Sequence, residues 1–259
     1  MALSETLDEG TQVRILHAAD LKRALAMGWS DFRAAPTHLY FLILFYPVAM
    51  FVGVWAAIDE NMIPLLFPIL SGAALLGPFT AIVLYEVSRQ REAGKRVAWW
   101  QAFGLIAARS ALSVVALALA LIVLFVVWIW AGLELYRGLM GSVVDPSLTG
   151  FLGEVFSTSA GWTMIVIGNG VGLLFALVAL AAFAFPFQVL VDRGGDPMTA
   201  VLLSLKVFFA NPLAMLTWGL IVAALLAATI VTLFAGLAVV LPLLGHASWH
   251  LYRAAVPSD

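Results

Sequence analysis

The chain has 259 residues, of which 63% are hydrophobic and 11% charged, with a formal net charge of -2 and a mean hydropathy of +1.04. Soluble domains carry roughly 25% charged residues, so this composition excludes a water-soluble fold and predicts an all-α polytopic membrane protein. The charge gives no reason to expect nucleic acid as a partner, and the lack of cysteine excludes disulfides and cysteine nucleophiles.

The N-terminal segment, residues 1–19, is polar and acidic, which predicts a tail outside the membrane and no cleaved signal peptide. Residues 20–36 have apolar side chains at helical spacing and predict an interfacial amphipathic helix that Asp20 caps. The apolar face of this helix is Leu25, Trp29 and Phe32. A second interfacial helix is expected at 196–212, with Asp196 as its cap.

Four apolar runs predict transmembrane spans directly, because a helix crosses the hydrocarbon core with about 20 residues. They lie at about 38–58, 64–87, 104–131 and 162–188. The third span is expected to end in an aromatic girdle at the headgroup layer, formed by Trp128, Trp130 and Tyr136.

The last apolar run, from Leu213 to Leu251, is too long for one span, since a single helix would measure roughly 58 Å. Two short spans with a turn near Thr229–Gly236 fit better, although such an apolar turn is expected to need burial against protein. We therefore predict six spans, with five as the alternative.

Basic residues concentrate in three segments, which predicts the orientation in the membrane. The segments hold Arg14, Lys22, Arg23 and Arg33; Arg89, Arg91, Lys95 and Arg96; Arg193 and Lys206. A cytoplasmic N-terminus puts all three inside and leaves 132–161 outside with only Arg137, in agreement with the positive-inside rule. The pattern predicts a multi-pass protein of the bacterial inner membrane.

A weak internal repeat organises the predicted single transmembrane domain, residues 20–256. Units 20–89 and 196–253 flank a hairpin at 104–188. Their matched positions include Asp20 with Asp196, Pro36 with Pro212, Pro78 with Pro242 and Arg89 with Arg253. Both units start on the cytoplasmic side, so the repeat is expected to be parallel about the membrane normal.

Histidines form the first candidate site. His246 and His250 are four residues apart and share a helix face, and His38 is expected at a similar depth. Three imidazoles can hold a metal or haem iron, but the sequence places no carboxylate beside them. We therefore predict no cofactor and favour histidines that bond to backbone, headgroups or water.

Charged residues near the inner ends of spans form the second group of candidates. Glu86 and Arg89 lie one turn apart, and a solvated helix end with weak pairing is favoured over a polar relay. Arg109, with Trp99 and Trp100, is expected to anchor the chain at the interface or to hold a lipid phosphate.

The third candidate is Asn169, which lies inside the fourth predicted span between Gly168 and Gly172. Small residues four apart let another helix approach closely, with the asparagine free to bond across the contact. A broken helix that forms a substrate site is the alternative.

Three segments of the chain resemble one family of bacterial integral membrane proteins, catalogued as domain of unknown function 2189. They are LKRALAMGWSDFRAAP, LLGPFTAIVLYEVSRQREAG and GHASWHLYR, and the resemblance extends over roughly 14–256. It implies an inner-membrane protein, and some members are labelled as cytochrome c oxidase subunits. Four histidines are too few for the haem and copper ligands of a catalytic oxidase subunit, so only an accessory role is compatible with that label.

No catalytic signature is present, and we therefore predict a non-enzymatic accessory subunit or assembly factor of a larger membrane complex. Its expected partners are the lipid bilayer and other integral membrane subunits, with respiratory oxidase components favoured. The alternative is a transporter or channel built on the duplicated unit, with a cavity near Asn169. A lipid-modifying enzyme is disfavoured because the spans lack a cluster of ionisable residues.

Overall fold

The computed structural model describes residues 12–35, 37, 55, 63–95, 99–141, 147–232 and 234–257. This part of the chain is helical and has no strand, which confirms the predicted all-α class. The predicted span at 38–58 lies outside the described residues except for Trp55.

The described residues form a series of α-helices. In chain order they are α1 (Ala18–Ala34), α2 (Ile63–Ala73), α3 (Gly77–Thr80), α4 (Ile82–Glu92), α5 (Trp99–Met140), α6 (Leu148–Ser157), α7 (Ser159–Phe183), α8 (Pro186–Asp192), α9 (Pro197–Ala210), α10 (Pro212–Ala228) and α11 (Leu237–Ala255). Short 3-10 turns follow α2 and α10, at Ala74–Leu76 and Thr229–Thr232.

Contacts among these helices divide the chain into two compact units. The first unit draws on Met1–Ile43, Gly77–Ala118 and Ala179–Asp259, and the second on Leu44–Leu76 and Leu119–Val178. The predicted domain at 20–256 and its internal repeat remain predictions.

Four helical segments in the described part are long and apolar enough to cross a membrane. They are Ile63–Glu92, Ser110–Met140, Ser159–Asp192 and Pro212–Thr232. The second of them begins at Ser110 rather than at the predicted residue 104. Ser110 interrupts the helix with φ -149° and ψ 26°, and its Oγ donates to the carbonyl of Leu190 at 3.2 Å.

The last apolar run is divided as predicted, into α10 and α11. The connecting turn contains Phe234 in the left-handed region, with φ 65°. It is exposed and not buried as expected, since Val231 is 88% accessible. Threonine side chains satisfy its backbone instead: Thr232 Oγ1 donates to Thr229 O and accepts from Gly236 N, both at 2.9 Å.

Two residues of the predicted aromatic girdle point into the second unit. Trp128 is 5% and Tyr136 7% exposed, whereas Trp130 is 61% exposed. The Trp128 indole donates to Pro68 O at 2.8 Å and packs on Phe175 with ring centroids 5.4 Å apart. The girdle prediction was therefore wrong for Trp128 and Tyr136. For Trp128 the physical reason is its hydrogen bond to the carbonyl of Pro68, which holds the indole inside the second unit.

Helix α1 starts one turn earlier than predicted. His17 occupies the N-cap, and Asp20 at the third helical position accepts a hydrogen bond from His17 N at 2.9 Å. Asp20 is thus part of the capping interaction but is not the cap itself. Asp196 caps α9 as predicted, with Thr199 N donating to its carboxylate at 2.9 Å.

The packed face of α1 also differs from the predicted apolar face. Leu21, Ala24, Gly28 and Asp31 are buried. Trp29, by contrast, is 42% exposed. The buried face packs along α11, and a Cβ on Gly28 would lie 2.6 Å from Ala247 N. A glycine therefore sets the closest approach of these two helices, and the wider aromatic side chains lie to its side.

Candidate functional site

A buried carboxylate, Asp31, lies where α1 meets α4 and α11. It is 6% exposed. Its Oδ2 accepts hydrogen bonds from Ser88 Oγ at 2.6 Å and His250 Nε2 at 2.8 Å, and its Oδ1 pairs with Arg91 Nε at 3.1 Å. One carboxylate thus bonds to side chains of both neighbouring helices.

Helical spacing explains why these groups meet. Ser88 and Arg91 are three residues apart on α4, and His246 and His250 are four apart on α11, so each pair lies on one face. Gly245 allows α11 to approach α4 closely, because its Cα faces Ala81 and Leu84 without a side chain between them. The polar cluster therefore lies beside two close contacts between helices of the first unit, at Gly28 and Gly245.

His246 extends the cluster into the protein. Its ring is 0% exposed. The ring nitrogens are both engaged: Nδ1 lies 2.7 Å from Ser88 Oγ and Nε2 lies 3.1 Å from Thr37 Oγ1. The result is a continuous hydrogen-bonded chain from His250 through Asp31, Ser88 and His246 to Thr37.

The charge on Asp31 fixes the direction of these hydrogen bonds. Burial by itself raises the pKa of this carboxyl, but hydrogen bonds from His250 and Ser88 leave its pKa below the ordinary value. The ionised carboxylate only accepts, so the Ser88 hydroxyl donates to it. His246 then carries its proton on Nδ1 and donates to Ser88, and Nε2 accepts from Thr37, an assignment made from the network.

A second polar cluster joins the ends of three helices nearby. Arg253 Nε pairs with Glu92 Oε1 at 3.2 Å, and its NH1 lies 3.4 Å from Asp192 Oδ2. Tyr252 donates to Asp192 at 2.9 Å and the Trp249 indole donates to Glu92 at 3.2 Å. The ends of α4, α8 and α11 are thereby tied together.

Glu86 is not the solvated helix end that we expected. It is 1% exposed, and it accepts two hydrogen bonds from Arg89, at 2.7 and 2.8 Å, and one from Gln90 at 2.6 Å. The forked guanidinium matches the two carboxylate oxygens, so the buried carboxylate is paired with an arginine whose side chain is 20% exposed.

The cluster contains the residue types of a serine hydrolase in a different arrangement. In a catalytic triad the aspartate orients the histidine that contacts the serine. Here Asp31 accepts a hydrogen bond from Ser88 itself, and the histidine that contacts Ser88 is His246, which Asp31 does not orient. Ser88 and His246 are both 0% exposed. The hydroxyl of Ser88 is therefore enclosed, and its hydrogen bonds connect α4 to α1 and to α11.

The sequence predicted the paired histidines but not their partners. A carboxylate does lie beside them, because α1 brings Asp31 to His250 across 219 positions of the chain. His38 lies outside the described residues. Within those residues, no three histidine, aspartate or glutamate side chains are arranged to hold a metal ion, and both nitrogens of His246 are already bonded.

The predicted interfacial anchor belongs to α5. Trp99, Trp100 and Arg109 all precede the break at Ser110, and their side chains lie outside the described part of the structure. Their role in lipid anchoring remains a prediction.

The glycine pair of α7 lies against α5 within the second unit. A Cβ on Gly168 would lie 3.4 Å from Leu135, and one on Gly172 would lie 3.2 Å from Trp128. Asn169 does not bond across this contact. It is exposed, and its amide donates to Ile165 O of its own helix at 2.7 Å.

Sequence reasoning missed Asp31, Ser88 and Thr37, and it also missed Asn211. Asn211 is 4% exposed; its Oδ1 accepts from Leu16 N at 2.7 Å and its Nδ2 donates to Arg14 O at 3.1 Å. A signal for Asp31 was present, since Leu21, Ala24, Gly28 and Asp31 recur at helical spacing with the aspartate at the end of the stripe.

The chain was compared with models of protein families, with curated proteins and with solved structures. Residues 66–192 match a family model described as predicted integral membrane protein (DUF2189). The matched range includes the segment LLGPFTAIVLYEVSRQREAG and ends at Asp192. Neither a curated protein nor a solved structure matches the chain.

Proposed function

We propose a function from the geometry, because the family model that matches residues 66–192 is described only as a predicted integral membrane protein (DUF2189), a description that assigns no activity. The protein is a non-catalytic membrane subunit or assembly factor of a larger complex. The observation that carries this proposal is the closure of the Asp31 cluster. Its Ser88 and His246 are fully buried and hydrogen-bonded to one another, which is typical of a contact that stabilises the packing of two helices.

The lateral faces of the spans support association with other membrane helices. Within an apolar 18-residue window of each helix, only 17% is buried inside the chain for Pro212–Thr232 and 28% for Ser110–Met140. On α10 the buried side chains are Met215 and Trp218, and Leu220 is 70% exposed. Such faces suit helix packing, which in a membrane depends on van der Waals contact.

A respiratory oxidase is the complex that we propose first. The support for this choice is the label that some family members carry, and the charge pattern favours the bacterial inner membrane with a cytoplasmic N-terminus. On this proposal the partners are integral oxidase subunits that bear haem, and this chain contributes packing surface.

The test is affinity capture of the tagged protein, expressed at its native level and extracted in a mild detergent. The eluate is examined by mass spectrometry and by its absorption spectrum. We expect the same integral membrane partners in a fixed ratio in independent preparations, with the haem bands of an oxidase.

A control capture in dodecyl sulfate should lose those partners. Fixed partners without haem would refute the oxidase and retain the subunit role. A colourless preparation of this chain alone would overturn both.

One observation favours a second candidate, a proton-coupled transporter. The hydrogen-bonded chain from His250 to Thr37 has the composition of a proton relay. The cavity that we expected near Asn169 receives no support, since that side chain is exposed and bonded to its own helix. Proteoliposomes with an internal pH dye test this candidate: Asp31→Asn should abolish a proton flux, and an absent flux in the unsubstituted protein would refute it.

A further inference from the structure

A cleft of about 230 Å³ opens on the surface of the first unit beside the Asp31 cluster. It lies between α1 and the ends of α4 and α11. Its charged and titratable lining residues are Arg14, Asp20, Arg23, Glu92, His250 and Arg253. Sites for drug-sized molecules occupy about 300 to 1,000 Å³, so this cleft suits a single small polar group.

Most of the charges in the cleft are already paired. Arg14 forms an ion pair with Asp20, and Arg253 pairs with Glu92. Among the described residues, Arg23 has no such partner. The lining therefore carries an excess positive charge at Arg23 and attracts an anion.

His250 gives the cleft a second donor. Its Nε2 is held by Asp31 at 2.8 Å, its ring borders the cleft, and within the described part of the chain Nδ1 has no hydrogen-bond partner. The imidazolium form donates from both nitrogens, so Nε2–H can serve Asp31 while Nδ1–H serves a ligand in the cleft. An anion bound there would thus be connected to the buried cluster through one ring.

We propose that this cleft binds a phosphate-bearing anion, with Arg23 and His250 as its ligands. A guanidinium binds phosphate oxygens through two parallel hydrogen bonds, and Nδ1 of the His250 ring supplies a third contact. The two acids of the lining, Asp20 and Glu92, pair with the other two arginines. Free phosphate and the headgroup of an anionic lipid both carry the phosphate group that this cleft would bind. A lipid headgroup is a candidate because the cleft lies beside the predicted interfacial helix α1.

The test is calorimetric titration of the full-length protein in maltoside micelles with inorganic phosphate, and separately with short-chain phosphatidylglycerol. Arg23→Gln should weaken binding about tenfold, the effect of losing a charge-assisted hydrogen bond. Lys22→Gln is the matched control: it removes the same charge from an exposed neighbouring residue of α1 that does not line the cleft. The control should retain affinity within about twofold.

A site-resolved readout accompanies the titration. The ¹⁵N resonances of the His250 ring should shift on addition of phosphate, and the shift should be lost in Arg23→Gln. Binding of phosphate assigns the site to a soluble anion, and binding of phosphatidylglycerol alone assigns it to a lipid headgroup. Absence of binding by both probes, or equal weakening by Arg23→Gln and Lys22→Gln, would overturn the proposal.

Discussion

At the scale of single residues, Asp31 connects the N-terminal helix to the rest of the first unit. Its carboxylate accepts from Ser88 and His250 and pairs with Arg91. A buried charge is stable only when partners replace its lost hydration. Here neighbouring helices supply those partners, so the position of α1 depends on one ionised group.

Asp31→Asn should destabilise the protein by about 3 kcal/mol, because it leaves Arg91 and the surrounding donors without a buried negative charge. The measurement is the unfolding midpoint in detergent micelles. Glu134→Gln is the control, since its pair with Arg137 is exposed, with 48% and 61% of the two side chains accessible. An Asp31→Asn midpoint equal to that of the control would contradict the structural role of the cluster.

Acidification should destabilise the packing of α1 in the first unit. The pKa of Asp31 is lowered by the cluster despite the opposing effect of burial, and that of Asp20 is lowered first by its hydrogen bond from the His17 backbone. Each carboxylate therefore stabilises the fold above its ordinary pKa of 3.8, and this stability is lost as the pH falls through the lower folded-state pKa.

Hydrogen exchange of α1 amides, measured from neutral pH to below 3.8, tests whether stability falls as the pH falls. We expect corrected protection factors to fall only at the acid end, and Asp31→Asn to show a smaller fall. Protection that increases on acidification would refute the assignment.

At the scale of elements, glycines determine how closely the helices of the first unit approach one another. Gly28 places α1 against Ala247 of α11, and Gly245 places α11 against α4. These contacts bring the polar groups of the Asp31 cluster within hydrogen-bonding distance. Small residues therefore position the site although they make no hydrogen bonds with their side chains.

Gly28→Ala should destabilise the protein by about 1 to 3 kcal/mol, because the new Cβ meets backbone atoms of Ala247 that cannot move away easily. Gly77→Ala is the matched substitution, since a Cβ at that position meets nothing within 4 Å. The helix propensity of alanine should make that variant neutral or more stable by about 1 kcal/mol. The thermal unfolding midpoint should fall for Gly28→Ala and should not fall for Gly77→Ala, and equal shifts of the two variants would contradict the close contact at Gly28.

The elements were largely predictable from the sequence, but the site was not. Apolar runs of span length fix the helices, and the division of the last run into α10 and α11 followed from its excess length. The cluster could not be deduced because its bonds join residues 57 and 219 positions apart. The break at Ser110 was missed for the same reason, since its hydroxyl bonds to a carbonyl 80 positions away.

At the scale of the whole molecule, the three predicted basic segments meet at one end of the first unit. Arg91 contacts Asp31, Arg253 contacts Asp192, and Arg14 N donates to Ala255 O at 2.9 Å. Segments that touch at one end must lie on one side of the membrane, so the chain crosses an even number of times between any two of them. By the same argument Arg253, which follows the last apolar run, lies on the side of Asp192, which precedes that run, and this favours the prediction of six spans over five.

The absence of cysteine makes the most direct measurement of this arrangement possible. Single cysteines replace Ala26, Gly138 and Pro257, all of which are exposed, and an impermeant maleimide is applied to intact cells and to inverted membrane vesicles. We predict that Ala26→Cys and Pro257→Cys react only in inverted vesicles, whereas Gly138→Cys reacts in intact cells. Reaction of Ala26→Cys and Pro257→Cys from opposite sides would contradict the even number of crossings and the single cytoplasmic end on which this account rests.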